Sequence, residues 1–474
     1  MITQIPRLRR RFTPIVAACL ILSAWPVLAD ENDRPAEPAE SAAAESAAAA
    51  PLISARNEWR DVLRFGIDTE VIELLPTLTE NREVTLEPEV LRVFSRSINP
   101  RLRRAALRFF TDLELTGAID AVIEMLRDIQ DLADDLVLDA ILYLSRVETD
   151  DRDDVAVLFH ELARSRRATV AGAAIRAIGR TGDERDVDVL LDLFDERTTP
   201  VAVRQSLVLA LGELRTPRAV DRLIAVLGRT DEDSTLRNYA ADSLGKIGDD
   251  RAIDTLRVSL GSTDALHRAY AVNALGYFDS ADVPDMLEEA LRDSFWRVRV
   301  AALDAVGRRK QAELLPAVIY RARRDPENRV RLDAISAVAA IGTAEAWEFL
   351  RSQFVDERTA PDIRRAILHR LVELNAVESL PTIREVIQKE WAAERPTMLE
   401  YTTRVLSTAS LPEAADIYVR LLEHPNFVLR IYGVRGIALN GLEQYKDRIR
   451  ELSENEAEHA SVRRNAASEL ERMK

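Results

Sequence analysis

Chemistry in this chain of 474 residues would have to come from a small stock of groups: five histidines, one cysteine and a short run of acids. His160, His267, His369, His424 and His459 are scattered, and no two stand at the i, i+4 spacing that sets a pair of imidazoles on one helix face for a metal. Cys19 is the sole thiol, so no disulfide framework is expected. Asp150, Asp151, Asp153 and Asp154 invite a calcium reading, but the stretch lacks the glycine and the distal glutamate of a calcium loop and reads as a solvated turn. Gly245-Lys246 has no phosphate-loop glycines before it. No catalytic, metal-binding or cofactor-binding residue is expected, no cofactor is implied, and the chain reads as non-enzymatic.

Arginine is the polar residue that does recur with a pattern. The stretch Val298-Arg299-Val300-Ala301-Ala302-Leu303-Asp304-Ala305-Val306-Gly307 is echoed by Val203-Arg204 through Gly212 and by Leu236-Arg237 through Gly245. Its first position falls at Leu102, Leu136, Val170, Val203, Leu236, His267, Val298, Val330, Ile363, Met398, Leu429 and Val462, with gaps of 31 to 35 residues. A period of this size marks a solenoid. Arginine fills the second position in nine of the twelve units, and a repeated position implies a repeated structural job: a ladder of ion pairs and carbonyl contacts between units, with loop acids such as Asp293 and Asp325 as partners.

The elements that position these arginines follow from spacing. Val298, Ala301, Ala302, Ala305 and Val306 lie on one face of a 3.6-residue period, so each unit opens with a helix, here called the motif helix. Gly179, Gly212, Gly245, Gly276, Gly307 and Gly342 are expected to end it in a left-handed conformation. Pro217, Pro284, Pro316, Pro381 and Pro412 are expected at or near the start of a second helix. Ala pairs such as Ala240-Ala241 and Ala301-Ala302 let neighbouring motif helices approach to about 8–10 Å. The fold class is all-α: a right-handed α-solenoid of about twelve stacked helix pairs over residues 99–474. Residues 52–98, with Trp59, Val71, Leu75 and Val90, form a divergent helical N-terminal cap.

The recurring Val-Arg-x-x-Ala-Ala-x-x-Leu-Gly pattern resembles the HEAT repeats, in the short bacterial variety also found in phycobilin lyase subunits. The resemblance covers residues 99–474 and implies HEAT-type helix pairs. It implies a binding scaffold more than any one activity, because this repeat serves scaffolds, adaptors and lyase subunits alike. In this architecture the second helices are expected to line the concave face. A di-iron relative of the architecture carries several His-Glu pairs, and only His160-Glu161 has that form here.

Arg7, Arg9, Arg10 and Arg11, the apolar stretch from Phe12 to Leu22 and Val27-Leu28-Ala29 read as a signal peptide over residues 1–29, cleaved after Ala29. A periplasmic or cell-envelope location follows. Val16-Ala17-Ala18-Cys19 offers the alternative of a lipid anchor at Cys19. Residues 30–51 are an acidic linker of Ala, Pro, Glu and Ser. Nothing in the mature chain is long and apolar enough to span a membrane. Cleavage removes four arginines and no acid, moving the formal charge from −15 to −19, which argues against nucleic acid as partner.

Charge is uneven along the chain. Residues 128–154 carry ten acids against two arginines, and residues 292–331 carry eleven basic residues against five acids. The basic block is the favoured contact region for a protein partner. Candidate partner-binding residues are Phe295, Trp296, Arg308, Arg309, Lys310, Arg321, Arg323 and Arg324, with Phe427 in the place matching Phe295-Trp296. The function expected is an exported scaffold or adaptor that holds an envelope protein through the concave face. Alternatives are an accessory subunit that holds a substrate or chromophore for an enzyme, and a protein that binds cell-wall polymer or another polyanion.

Overall fold

The structure is a computed structural model that describes residues 55–148, 152–196, 198–394 and 396–473. The signal peptide, Cys19, the acidic linker and the pair Asp150-Asp151 lie outside the described residues. Every regular element among them is an α-helix or a short 3-10 helix. The chain divides into two units, Met1–Asp61 and Val62–Lys474. The described part of the first, Ala55–Asp61, is helical. The second is a stack of helix pairs.

Each pair follows from its sequence. Trp296–Arg309 is a motif helix, and after a turn through Ala312–Leu314 the chain enters the second helix Leu315–Arg324. The twelve register residues are all buried. The ninth motif position is buried in every unit but the last, and Leu211, Leu244, Leu275, Val306, Val338 and Leu371 are fully enclosed there, each contributing about 1.5–3 kcal/mol of burial. Pro284 and Pro316 sit in the first turn of their helices, as the missing N–H requires. Pro381 departs from expectation: it lies inside Ala376–Glu390, because in that unit the second helix begins directly after Asn375.

The motif glycines do a different job from the one expected. Gly179, Gly212, Gly245 and Gly307 lie within their helices, and Gly276 caps its helix with φ −63°. The left-handed residue comes three places later, at Arg215, Gly248 and Lys310, with Glu114, Gly342 and Gly441 at the same register; of the six expected glycines only Gly342 is left-handed. What the motif glycines provide is room. A Cβ on Gly245 would stand 2.8 Å from the Ala274 Cα, one on Gly179 2.7 Å from the Ala210 Cα, and one on Gly212 2.8 Å from the Ser243 Cα. Adjacent motif helices therefore touch backbone to backbone.

The arginine ladder is present. Arg299 pairs with Asp325 through Nε at 2.8 Å and Nη2 at 2.7 Å, and donates to the Asp293 carbonyl at 2.9 Å. Arg268 makes the same two-pronged contact with Asp293 of its following loop. Arg204 meets Glu232 at 3.0 Å and Arg430 meets Glu458 at 2.7 Å. Arg268, Arg299 and Arg430 thus tie the loop before their own helix to the loop before the next, through the Ser262, Asp293 and His424 carbonyls. Asp293 and Asp325 also accept from the Phe295 and Glu327 N–H groups, fixing the turn into the following helix. Burial pushes the Asp325 carboxyl up, but the bonds from Arg299 and Glu327 and the charges of Arg299 and Arg321 outweigh it, so the group titrates below its ordinary range. The ladder is incomplete at Arg103, Arg331 and Arg463, whose Nε groups are buried without a hydrogen-bond partner.

The two layers of the stack are spaced unequally. Motif helices pack closely on their neighbours along most of the stack, least so between Pro361–Leu374 and Phe427–Leu439, whereas second helices meet their counterparts more sparingly. A two-layer stack curves toward its tighter layer. Within Val62–Lys474 the inner layer is therefore the motif helices, not the second helices that were expected to line the concave face. The physical reason lies in the glycine and alanine positions, which shorten the spacing of one layer only.

Candidate interaction surface

On a motif helix the seventh and eleventh positions are never buried, whereas the third is buried at Gly172, Asn238 and Ala269. Trp296–Arg309, Asn328–Ile341 and Pro361–Leu374 together line a groove of about 550 Å³ on the inner layer, to which the seventh and eleventh positions contribute Asp304, Arg308, Ser336 and Ala340. Its floor is apolar, from Val300, Leu303, Gly307, Ala337, Ala340 and Leu374. The rim is charged and internally ordered: Arg329 meets Asp333 at 2.8 Å, Arg308 is held by Asp304 and by the Asn273 Oδ1 at 2.9 Å, and Arg370 bonds Glu373 at 2.8 Å. An apolar centre within a polar rim is the composition of a protein contact.

The residues singled out from the sequence are spread over three parts of the stack. Arg308 is on the groove rim, over the Tyr277 ring at 4.2 Å. Lys310 is exposed at the turn edge, while Arg309 beside it is largely covered and faces Asp279 at 3.5 Å. Arg321, Arg323 and Arg324 lie in the last four residues of the second helix, about 9–14 Å along it from Leu315. Arg321 joins the ladder by reaching Asp325 at 3.4 Å. Arg323 stands over Phe349 at 4.9 Å and is exposed, as is Arg324. These three belong to the outer layer and do not border the groove.

Phe295 and Trp296 lie at that same loop edge. Both are half-buried, with ring centroids 6.2 Å apart, and Arg297 covers the indole at 5.1 Å. Phe427, matching them in its own unit, is 36% exposed and stacks on His459 at 3.8 Å. Much of the basic block is neutralised where it stands, because Arg292, Arg299, Arg308, Arg309, Arg321 and Arg329 each reach a carboxylate.

Sequence reasoning missed the groove residues Arg329, Asp333, Ser336, Arg370 and Leu374. Only Ser336 stands at a repeated solvent-facing position, the seventh; Arg329, Asp333, Arg370 and Leu374 fall at differing positions of their motif helices, so the repeat did not mark them. The histidines serve the architecture. His160 meets Asp186 at 2.6 Å, and buried His267 accepts from Arg237 at 3.1 Å while its Nδ1 donates to the Asn238 Oδ1 at 2.9 Å. Burial and the nearby Arg237 push the His267 imidazole below its ordinary range. Among the described residues no group of three or more His, Cys, Asp or Glu is placed to hold a metal ion, and no helix is long and apolar enough to cross a membrane.

A family model described as spirochaete HEAT repeat protein matches residues 63–469. No curated protein matches significantly in sequence. Among solved structures, Kap121p shares 13% identity over 88% of this chain and 53% of its own, with a TM-score of 0.41. The CpcE and CpcF complex of phycocyanin lyase from Nostoc sp. PCC7120 shares 20% identity over 48% of this chain and 92% of that one, with a TM-score of 0.34. Escherichia coli YibA shares 15% identity over 54% of this chain and 97% of its own, with a TM-score of 0.36. The chain spans about half the length of Kap121p. With helix pairs in register and the family model covering nearly all of the stack, the chain belongs to the spirochaete HEAT repeat protein family.

Proposed function

We propose that this protein is a non-catalytic scaffold or adaptor, exported to the cell envelope, that holds a protein partner along the solvent face of its motif helices. The groove across Trp296–Arg309, Asn328–Ile341 and Pro361–Leu374 carries this reading: ordered charges on the tighter layer surround an apolar floor in which buried Leu303, Gly307 and Ala337 adjoin the solvent-reached Val300, Ala340 and Leu374. HEAT solenoids serve generally as interaction scaffolds, and the family assignment agrees with that use. Export rests on the N-terminal arginines, the apolar stretch and the Ala29 cleavage point, with a lipid anchor at Cys19 as the other outcome. In this arrangement residues 1–29 are removed, residues 30–51 tether, residues 52–98 cap the stack and residues 99–474 bind.

Affinity capture from envelope extract with residues 30–474, beside Leu374→Glu, tests the binding claim. Leu374 is 52% exposed on the groove floor, so a charge there leaves the fold intact. A stoichiometric partner retained by the parent chain and lost by the variant is expected. A partner held equally by both would remove the groove from the account. Mass spectrometry of the mature N-terminus is expected to find Asp30 first, and a lipidated Cys19 would replace cleavage by anchoring.

A further inference from the structure

Four consecutive motif helices at the C-terminal end each present an arginine that meets no carboxylate among the described residues. Arg365 lies on Pro361–Leu374, Arg404 on Leu399–Leu406, Arg435 on Phe427–Leu439 and Arg464 on Ala460–Arg472, and all four are exposed. Ladder arginines behave differently, being buried or half-buried and mostly paired with acids. Here the orienting partners are neutral. Arg365 and Arg404 both stand over the Tyr401 ring, at 5.2 and 4.9 Å, and the Tyr401 hydroxyl is fixed by the His369 Nε2 at 2.7 Å. Arg435 donates from Nε to the Asn465 Oδ1 at 3.3 Å. Guanidinium groups held by rings and amides keep their charge available to a ligand.

Carboxylates on the same face are mostly engaged. Glu373 is bonded by Arg370 at 2.8 Å and Glu469 by Arg472 at 3.0 Å, while Glu400 lies one turn before Arg404. A groove of about 770 Å³ runs past Arg435 and Arg464, with Ser407, Leu439 and Ser468 in its wall.

We propose that this stripe docks an extended acidic segment of a protein partner, with one carboxylate every third residue. The inference rests on the scaffold reading and names the chemistry recognised. Arg404 and Arg435 share the seventh position of neighbouring motif helices, and packed helices stand about 8–10 Å apart, so this pair offers two cations about 9 Å apart, with Arg365 and Arg464 displaced by about one turn, ~6 Å, along their helices. A polyproline II chain repeats its face every three residues, with a rise of about 3.1 Å each, and so returns a side chain to the same face every ~9 Å. Duplex nucleic acid carries a charge per ~1.7 Å and would leave most of its phosphates unmatched on a strongly acidic protein.

The test is fluorescence anisotropy of the full chain with the labelled peptide (Glu-Pro-Ala)4, beside a peptide of equal composition whose glutamates are contiguous. The spaced peptide is expected to bind about tenfold tighter, equivalent to ~1.4 kcal/mol. Arg404→Glu with Arg435→Glu is expected to weaken it by at least about tenfold, with the helical melt unchanged because both residues are exposed. Equal binding of the two peptides, or indifference to the double substitution, overturns the proposal. Tighter binding of a single-stranded oligonucleotide than of the spaced peptide also overturns it. A protein partner lost with Leu374→Glu but kept by the Arg404 and Arg435 variant removes the acidic-segment inference and leaves the scaffold reading standing; capture of no protein at all counts against the scaffold reading itself.

Discussion

Substituting alanine for Gly245 separates two explanations of the motif glycine that make opposite predictions. Gly245 lies inside Ser234–Ile247, where replacing glycine by alanine ordinarily stabilises a helix by about 1 kcal/mol. The added Cβ would meet the Ala274 Cα at 2.8 Å, the Ala274 Cβ at 3.0 Å and the Tyr277 ring at 3.1 Å. Carbon atoms rest at about 3.5–4.0 Å, so the two helices must part by nearly 1 Å. Overpacking of this kind costs about 1–3 kcal/mol, and after the propensity gain the variant is expected to lose about 1 kcal/mol. Gly228 supplies the control. It ends Val220–Gly228 with nothing within 4 Å of its Cβ position, so Gly228→Ala is expected to be neutral or to gain up to about 1 kcal/mol. Urea unfolding followed by circular dichroism reads both, compared as shifts in midpoint because long repeat arrays need not unfold in one step. If Gly245→Ala stabilises the protein as Gly228→Ala does, backbone contact between motif helices does not limit their spacing, and the argument for the inner layer fails with it.

Other outcomes follow from the ladder and the turns. Asp325→Asn leaves the Arg299 guanidinium, 6% exposed, without its charge partner and is expected to cost about 3–5 kcal/mol, whereas Asp195→Asn at the exposed Arg222 pair should cost under about 1 kcal/mol; calorimetric melting compares them. Asp293 and Asp325 titrate below the ordinary carboxylate range in the folded chain, so their contribution is complete above the unfolded value near pH 4 and is lost as pH falls through the lower folded values, which acid titration of the melting temperature will show. His267 works at higher pH. Its folded pKa is depressed, so the unfolded state takes up the proton first, stability falls as pH drops below about 6.5, and His267→Gln is expected to flatten that limb. Lys310 holds φ 53° without being glycine, so Lys310→Gly is expected to raise the urea midpoint by the equivalent of about 1 kcal/mol.

Much of this architecture was legible because its signals repeat. The period, the helix pairs and the arginine ladder with Asp293 and Asp325 all arise from positions that most units use in the same way. The motif glycine was visible but ambiguous: a left-handed cap and a tight interhelical contact both select against a Cβ, and a single sequence cannot tell them apart. Which helix forms the inner layer was not legible either, since it depends on comparing the spacing of two layers. Unit eleven shows the limit well. Gly433 and Gly436 depart from the motif because they make room for Tyr418, whose hydroxyl donates to the Leu406 carbonyl at 3.0 Å and whose burial pushes its pKa up to about 12. The candidate contact residues were chosen by charge and aromatic content along the chain, and the fold then sent Arg308 to one layer and Arg323 and Arg324 to the other.

The central claim, that partners are held on the motif-helix face, is tested most directly by photo-crosslinking from two exposed sites of similar character. Leu374 is 52% exposed on the groove floor, and Tyr320 is 57% exposed on the second helix Leu315–Arg324. A photoreactive residue placed at each position in turn, in cells that make the full chain, reads which layer meets the partner. A covalent adduct from position 374 and none from position 320 is the expected result. The reverse pattern would place the binding surface on the outer layer and contradict the account.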